Sequence, residues 1–280
     1  MSLPVLGVAV QLTDLETHLT LVRDHERDVE LQSFIWADVL NGDWQTPVAK
    51  ARTLLDGHRG RIGIHGPFFG FDLASTDPEV AAVVRKRLNQ ALDVVEALRG
   101  EHPHIVVHSP LGVWDHYTFY AMPHFVERKV EAFVANTRDA VARAEATGAT
   151  FVLENIEDLE PARRRQLIER VGSSALKLSI DTGHANFGHG RFGAPPADAF
   201  VRDAGRLLGH MHLQDTDGYA DRHWALGEGN IAWPEVFRAL ADSTALPDGG
   251  PDRPRLIIEL HDKAGIPASI AHLNGLGLAQ

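Results

Sequence analysis

Six apolar runs of this sequence finish in a side chain able to bind a metal ion. Arg61-Ile62-Gly63-Ile64-His65 and Ile105-Val106-Val107-His108 finish in histidine, Phe151-Val152-Leu153-Glu154 and Leu178-Ser179-Ile180-Asp181 in a carboxylate, His210-Met211-His212 in histidine, and Leu256-Ile257-Ile258-Glu259 in a carboxylate. Two further segments extend the set, Asp181-Thr182-Gly183-His184 and Asp221-Arg222-His223. An ionised acid in apolar surroundings is costly unless it is paired or bound to a cation. Taken singly, a histidine at such a position is ordinarily a hydrogen-bonded boundary residue; six in succession imply a shared cationic partner. The chain has 16 His and no Cys, so thiolate zinc sites, disulfides and cysteine nucleophiles drop out. Imidazole with carboxylate suits Zn, Mn or Fe better than Mg alone.

Other polar residues carry plainer readings. Strand alternation is taken to turn His210 away from His212, into the layer between sheet and helices. Asp215 reads as a turn residue, and Glu157 or Asp158 as a cap of the following helix. Leu226-Gly227-Glu228-Gly229-Asn230 is a turn-rich lead into a helix at Trp233-Pro234-Glu235 rather than a phosphate loop.

The elements that must position these residues alternate along the chain. Runs of β type cover Leu3 to Val10, Asp28 to Phe34, Arg61 to His65, His104 to His108, Thr150 to Glu154, Leu176 to Asp181, His210 to Leu213 and Arg255 to Leu260. Between them lie segments of helical periodicity such as Pro78 to Leu98 and Pro123 to Ala146. Strand and helix in alternation require a parallel sheet, and eight units in 280 residues predict an α/β fold, a single (β/α)8 TIM barrel over residues 1–280. The Gly193 to Pro196 and Pro247 to Pro254 patches are short enough to be loops. Such barrels carry their chemistry at the C-terminal ends of the strands, where the histidines and acids stand.

Composition bounds the partners. The net charge of −11 disfavours extended contact with nucleic acid or an anionic membrane. No run approaches the ~20 apolar residues of a membrane span, and no Lys or Arg precedes Arg23, so a cytoplasmic location is expected.

His212-Leu213-Gln214-Asp215, Asp221-Arg222-His223, Leu226-Gly227-Glu228-Gly229-Asn230-Ile231, Leu153-Glu154-Asn155 and Asp181-Thr182-Gly183-His184-Ala185 together resemble the xylose isomerase-like (β/α)8 superfamily. That superfamily holds sugar isomerases and epimerases, inosose dehydratases and the apurinic endonucleases called endonuclease IV. The resemblance implies a shared metal site on Glu154, Asp181, His212 and Glu259. The fuller zinc cluster of the endonuclease branch adds His65, His108, His184, Asp221 and His223, so one to three divalent ions are implied: Zn or Mn, with Fe, Co or Mg compatible. The chain departs from that branch after strand two, where Trp36-Ala37-Asp38-Val39-Leu40-Asn41-Gly42-Asp43-Trp44 has no Arg and two Asp where phosphate would approach.

Two function classes follow. In a metal-dependent isomerase, epimerase or dehydratase of a sugar, sugar phosphate or polyol, Glu154 and Glu259 move protons on opposite faces and His184 orients a substrate hydroxyl. Trp36, Phe68, Trp114 and Trp224 are the expected substrate walls. The alternative is an endonuclease-like phosphodiesterase in which water attacks phosphorus; a sugar sensor without catalysis is a third reading. A small carbohydrate is the expected partner, and the oligomeric state stays open.

Overall fold

The computed structural model describes residues 3–119, 121–243 and 253–280. Its strands are β1 (Gly7–Val10), β2 (Val29–Leu31), β3 (Ile62–His65), β4 (His104–His108), β5 (Thr150–Glu154), β6 (Leu176–Asp181), β7 (Leu208–Leu213) and β8 (Arg255–Ile258). Between them run α1 (Leu12–Asp24), α2 (Ala37–Asn41), α3 (Gln45–Leu54), α4 (Pro78–Leu98), α5 (Pro123–Thr147), α6 (Pro161–Val171), α7 (Thr182–Phe192), α8 (Ala197–Ala204) and α9 (Trp233–Asp242), with α10 (Ile266–Gly275) last. Every strand pairs in parallel with the next, and β8 returns to β1, closing a (β/α)8 TIM barrel.

Local chemistry explains most boundaries. Helix α4 begins where the Asp77 carboxylate accepts from the N–H groups of Glu79 (2.8 Å) and Val80 (3.4 Å), with Pro78 as first helical residue. Helix α5 stops at Gly148, whose φ of 76° needs no Cβ clearance. Four strands are shorter than their β-type runs, β3 by Arg61 alone. Leu6 leaves the ladder because its N–H donates to the Gln280 carbonyl (2.7 Å), Gln32–Phe34 winds into a 3-10 turn after β2, and Glu259 follows the last residue of β8. Strand β7 starts earlier, at Leu208. The Gly193 to Pro196 patch joins α7 to α8, whereas residues 247–252 of the other patch lie outside those described.

Outward strand residues such as Ile64, Leu153, Ile180, Met211 and Ile258 are fully buried in an apolar layer beneath the helices. The barrel interior differs from the branched apolar filling usual for this architecture. Glu30 on β2 meets His210 and His212 on β7 across it, at 3.2 and 3.0 Å, and His104 on β4 at 2.9 Å, all four with no exposure. This overturns the expected facing of His210. Residues two apart on a strand share a face, so His210 points inward with His212, one layer deeper, where Ser179 Oγ meets its Nδ1 at 2.8 Å. Gly63 on β3 makes room for this layer, since a Cβ there would lie 2.1 Å from His104 Nδ1.

Arg164 of α6 locks the ends of the two strands that carry Glu154 and Asp181. Its guanidinium, 1% exposed, donates to the Leu153 carbonyl (2.9 Å) and the Ser179 carbonyl, and stands 3.6 Å from Asp158. Burial lowers the Arg164 pKa and raises that of Asp158, outweighing their attraction. Asp158 therefore does not cap α6; it accepts from Ser109 Oγ (2.8 Å) and the Ile156 N–H (3.1 Å), while Glu157 accepts from the Val113 N–H (3.3 Å). Arg164→Met should lower stability by about 3–5 kcal/mol, because it strands a buried carboxyl and two carbonyls. Urea denaturation giving a loss under about 1 kcal/mol would show that the strand ends hold without it.

Candidate metal centre

Register gathers the strand-end residues. His108 pairs with Glu154 between β4 and β5, and Asp181 with His212 between β6 and β7. His65 ends β3, and Glu259 follows β8, its N–H bonded to the Leu213 carbonyl (3.0 Å). His184 lies in the first turn of α7, whose N-cap is Asp181 itself: the carboxylate accepts from the His184 N–H (2.6 Å). Asp221 and His223 come from the long loop after β7. Asp215 organises that loop by accepting from the N–H groups of Thr216, Gly227 and Ile231 and from Trp233 Nε1.

Four donor groups result: at the strand ends His65, His108 and Glu154; Glu154, Asp181, His212 and Glu259; and His184, Asp221 and His223; and, one layer deeper in the barrel, Glu30, His104 and His210, each with one donor atom per residue within 4.8 Å of the others. Glu154 belongs to two of them. Its Oε1 lies 2.6 Å from His212 Nδ1, and its Oε2 is 3.6 Å from His65 Nε2 and 3.5 Å from His108 Nε2. That Oε2 is buried with no hydrogen-bond partner, an arrangement that suits a cation shared with two imidazoles. All nine expected ligands are thus brought together.

Three of the five strand-end imidazoles are oriented by backbone carbonyls. His65 Nδ1 donates to the Gly66 carbonyl (2.9 Å), His184 Nδ1 to the Asn155 carbonyl (2.9 Å) and His223 Nδ1 to the Glu259 carbonyl (3.2 Å). In each ring Nε2 is left facing its group, the tautomer a metal ligand needs. The donor chemistry fits a divalent ion with nitrogen and oxygen ligands.

All of these strand-end ligands except the fully buried Asp181 and His212 line a cleft of about 470 Å³ at the strand C-termini, together with Gln11, Gln32, Phe68, His261 and Lys263. Of the four expected aromatic walls only Phe68 lines it, stacked on His108 with ring centroids 4.0 Å apart. Trp36 stacks on Phe69 (4.7 Å), which in turn packs on Phe68 (4.0 Å), so it stands farther out. Trp114 is 70% exposed and Trp224 lies beside the Arg222 guanidinium (5.3 Å); neither lines the cleft, because both sit on connections after β4 and β7 whose course the strand pattern does not set. Sequence reading overlooked Glu30. Its signal was an acid in the middle of the short apolar run Val29-Glu30-Leu31.

The family described as xylose isomerase-like TIM barrel matches residues 33–275. The chain belongs to this family. Among individual relatives it is 48% identical over 111 residues to 2-epi-5-epi-valiolone 7-phosphate 2-epimerase of an Actinoplanes species, a match covering 40% of this chain and 39% of the relative. It is 26% identical over 184 residues to D-psicose 3-epimerase of Enterocloster bolteae, covering 64% of this chain and 56% of the relative. The chain thus spans less than two thirds of the length of these relatives. A Thermus thermophilus protein studied in crystals soaked with ZnCl2 has the same fold, with a TM-score of 0.71, 24% identity, and coverage of 98% of this chain and 99% of the other. No helix among the described residues is long and apolar enough to cross a membrane.

Electrostatics of this family member are governed by burial against pairing. Burial alone would lower the pKa of His184, His212 and His223, but the carboxylates of Asp181, Asp221, Glu259, Glu30 and Glu154 prevail. They hold His184 and His212 well above the usual imidazole range and His223 at about 9. Burial prevails at His108, held at about 3, and at Asp181, raised to about 6. Protons on the raised imidazoles compete with a metal. For the metal-free protein, an imidazole whose folded pKa is raised contributes stability fully below the unfolded value of about 6.5, and that contribution is lost as pH rises through the folded value. The carboxylates of Glu154 and Asp221, whose pKa values are lowered, stay ionised throughout this window. Thermal melts of chelator-treated protein should therefore show Tm falling from pH 6.5 to 9, the window that His223 sets. Zn2+ affinity should climb over the same range with net proton release by calorimetry, and a flat profile would show that these imidazoles are neutral before metal binds.

Proposed function

We propose that this chain is a divalent-metal-dependent epimerase or isomerase of a sugar, sugar phosphate or related polyol. The observation that carries this reading is the placement of Glu154 and Glu259. Two carboxylates from β5 and the end of β8 reach one nitrogen of His212, at 2.6 and 3.4 Å, and both line the cleft. Epimerisation needs a group to take a proton from carbon and another to return one to the opposite face, work suited to paired carboxylates. The epimerase names of the two relatives support the same class.

In this reading Glu154, Asp181, His212 and Glu259 hold the ion, Zn or Mn by donor type. When bound there, a divalent metal supplies Lewis-acid polarisation of adjacent substrate oxygens, which acidifies the neighbouring carbon-bound proton. Glu154 and Glu259 move that proton, and His184, 11% exposed at its side chain, orients a substrate hydroxyl. Phe68 closes one wall and helps to keep water from the carbon centre. The partner is a small carbohydrate.

A second reading, phosphodiester hydrolysis, is favoured by one specific observation: three of the donor groups stand together at the strand ends, joined through Glu154 and through the contact of His184 with Asp181 (3.7 Å). Isotopes separate the two. Turnover of a ketose, ketose phosphate or inosose in heavy water should place deuterium on product carbon. Hydrolysis breaks no carbon–hydrogen bond and would instead place labelled water oxygen on phosphate. Metal-dependent cleavage of a duplex with an abasic site, with no sugar turned over, would replace the first reading by the second.

A further inference from the structure

Of the five imidazoles of the candidate centre, three are oriented by backbone carbonyls and one, His212, by a carboxylate. His212 Nε2 lies 3.0 Å from Glu30 Oε1, while its Nδ1 faces Glu154 and Glu259. Glu30 is fully buried on β2, on the far side of the interior from β7, and its other oxygen stands 2.9 Å from His104 Nε2 and 3.2 Å from His210 Nε2. Three imidazole nitrogens thus surround two oxygens of an acid that, when ionised, can only accept.

We infer that Glu30 is a positioning residue for the centre: it binds the Nε2–H of His212, fixes that tautomer, and so presents the Nδ1 lone pair to the ion held with Glu154, Asp181 and Glu259. A carboxylate acceptor also makes the imidazole a stronger ligand than a carbonyl does. His104 and His210 are the supports of Glu30. His104 donates to its second oxygen, His210 Nε2 stands 3.2 Å from that same oxygen without a formed hydrogen bond, the first oxygen is left to His212, and the Ser179 hydroxyl at His210 Nδ1 holds that ring in turn. This rests on the metal reading given above.

Glu30→Gln is the informative variant because it keeps volume and changes only hydrogen-bond sense. With the His104 donor and the His210 ring nitrogen both beside the Oε2 position and one donor at Oε1, the amide oxygen is best placed toward His104 and His210, so the amide N–H2 faces His212. Nε2 must then accept, Nδ1 keeps a proton, and the proton stands where the ion binds. Competition with a chromophoric chelator should show Zn2+ affinity falling about 10- to 100-fold, with the number of ions bound at saturation unchanged. His104→Gln, which can still donate to Glu30, should bind Zn2+ as the unaltered protein does.

The tautomer is read directly by 15N–1H spectra of histidine-labelled protein, with His212→Gln as the assignment control. A slowly exchanging Nε2–H resonance of His212 is expected both without metal and with Zn2+ bound at Nδ1, and it is expected to be lost in Glu30→Gln. This reading on the unaltered protein stands even where Glu30→Gln fails to fold. Zn2+ bound at Nε2 of His212, or the loss of one whole ion in both Glu30→Gln and His104→Gln, would overturn the inference; the second result would make Glu30, His104 and His210 ligands of an ion of their own. If no Zn2+ is taken up at all, the metal reading falls, and the Nε2–H resonance of the metal-free protein still decides whether Glu30 holds that proton.

Discussion

Glu154→Gln should lower kcat by about 10²- to 10⁴-fold, the range for removing a general base. The substitution keeps volume, and Glu154 is 1% exposed, so the effect reflects charge and proton capacity rather than packing. Glu154 also joins two donor groups. Its Oε1 sits 2.6 Å from His212 Nδ1 and its unpartnered Oε2 between His65 and His108. An amide in that place offers either an N–H donor to nitrogens that need an acceptor or one neutral oxygen where two charged ones stood. The bound metal should therefore fall together with turnover. Measuring kcat and metal content on the same preparation separates the two losses: full metal content with kcat near that of the unaltered enzyme would remove Glu154 from both roles. Glu259→Gln tests the partner face, and deuterium exchange into substrate without epimerisation would identify which glutamate acts first.

The second large effect is expected at His212. It is the one imidazole in contact with Glu30, Glu154 and Glu259 among the described residues. His212→Ala removes the imidazole that stands between these three acids and leaves the four-ligand group incomplete. A protein saturated at 100 times its Kd gains about 2.7 kcal/mol of stability from the bound ion, and that gain should vanish in His212→Ala. His210→Ala removes a ring only two residues away, but one that faces Glu30 and Ser179 rather than the four-ligand group. It should keep most of the Zn2+-dependent rise in Tm. Melting curves with and without Zn2+ decide the matter, and a Zn2+-dependent rise retained in His212→Ala would show that the four-ligand group is not the principal site.

What this sequence determines by itself follows from local rules. Apolar runs ending in His65, His108, Glu154, Asp181 and His212 are legible because a strand end is marked where its apolar neighbours stop, and Asp77-Pro78 announces α4 through the chemistry of a helix N-terminus. Eight alternations of strand and helix then leave few architectures other than the closed barrel. The inward facing of His210 follows from local rules too, since residues two apart share a side of a strand and His212 faces the interior. The tertiary structure decided the rest. Which acid meets which imidazole depends on register and closure: Glu30 touches His212 only because β2 and β7, far apart in order, face each other across the interior. Three residues of strand around Glu30 are too few to carry a periodic signal of their own. The connections that hold Trp114 and Trp224 lie outside the strands whose apolar pattern sets the barrel, so their aromatic rings are placed by contacts that form only when the whole chain has folded.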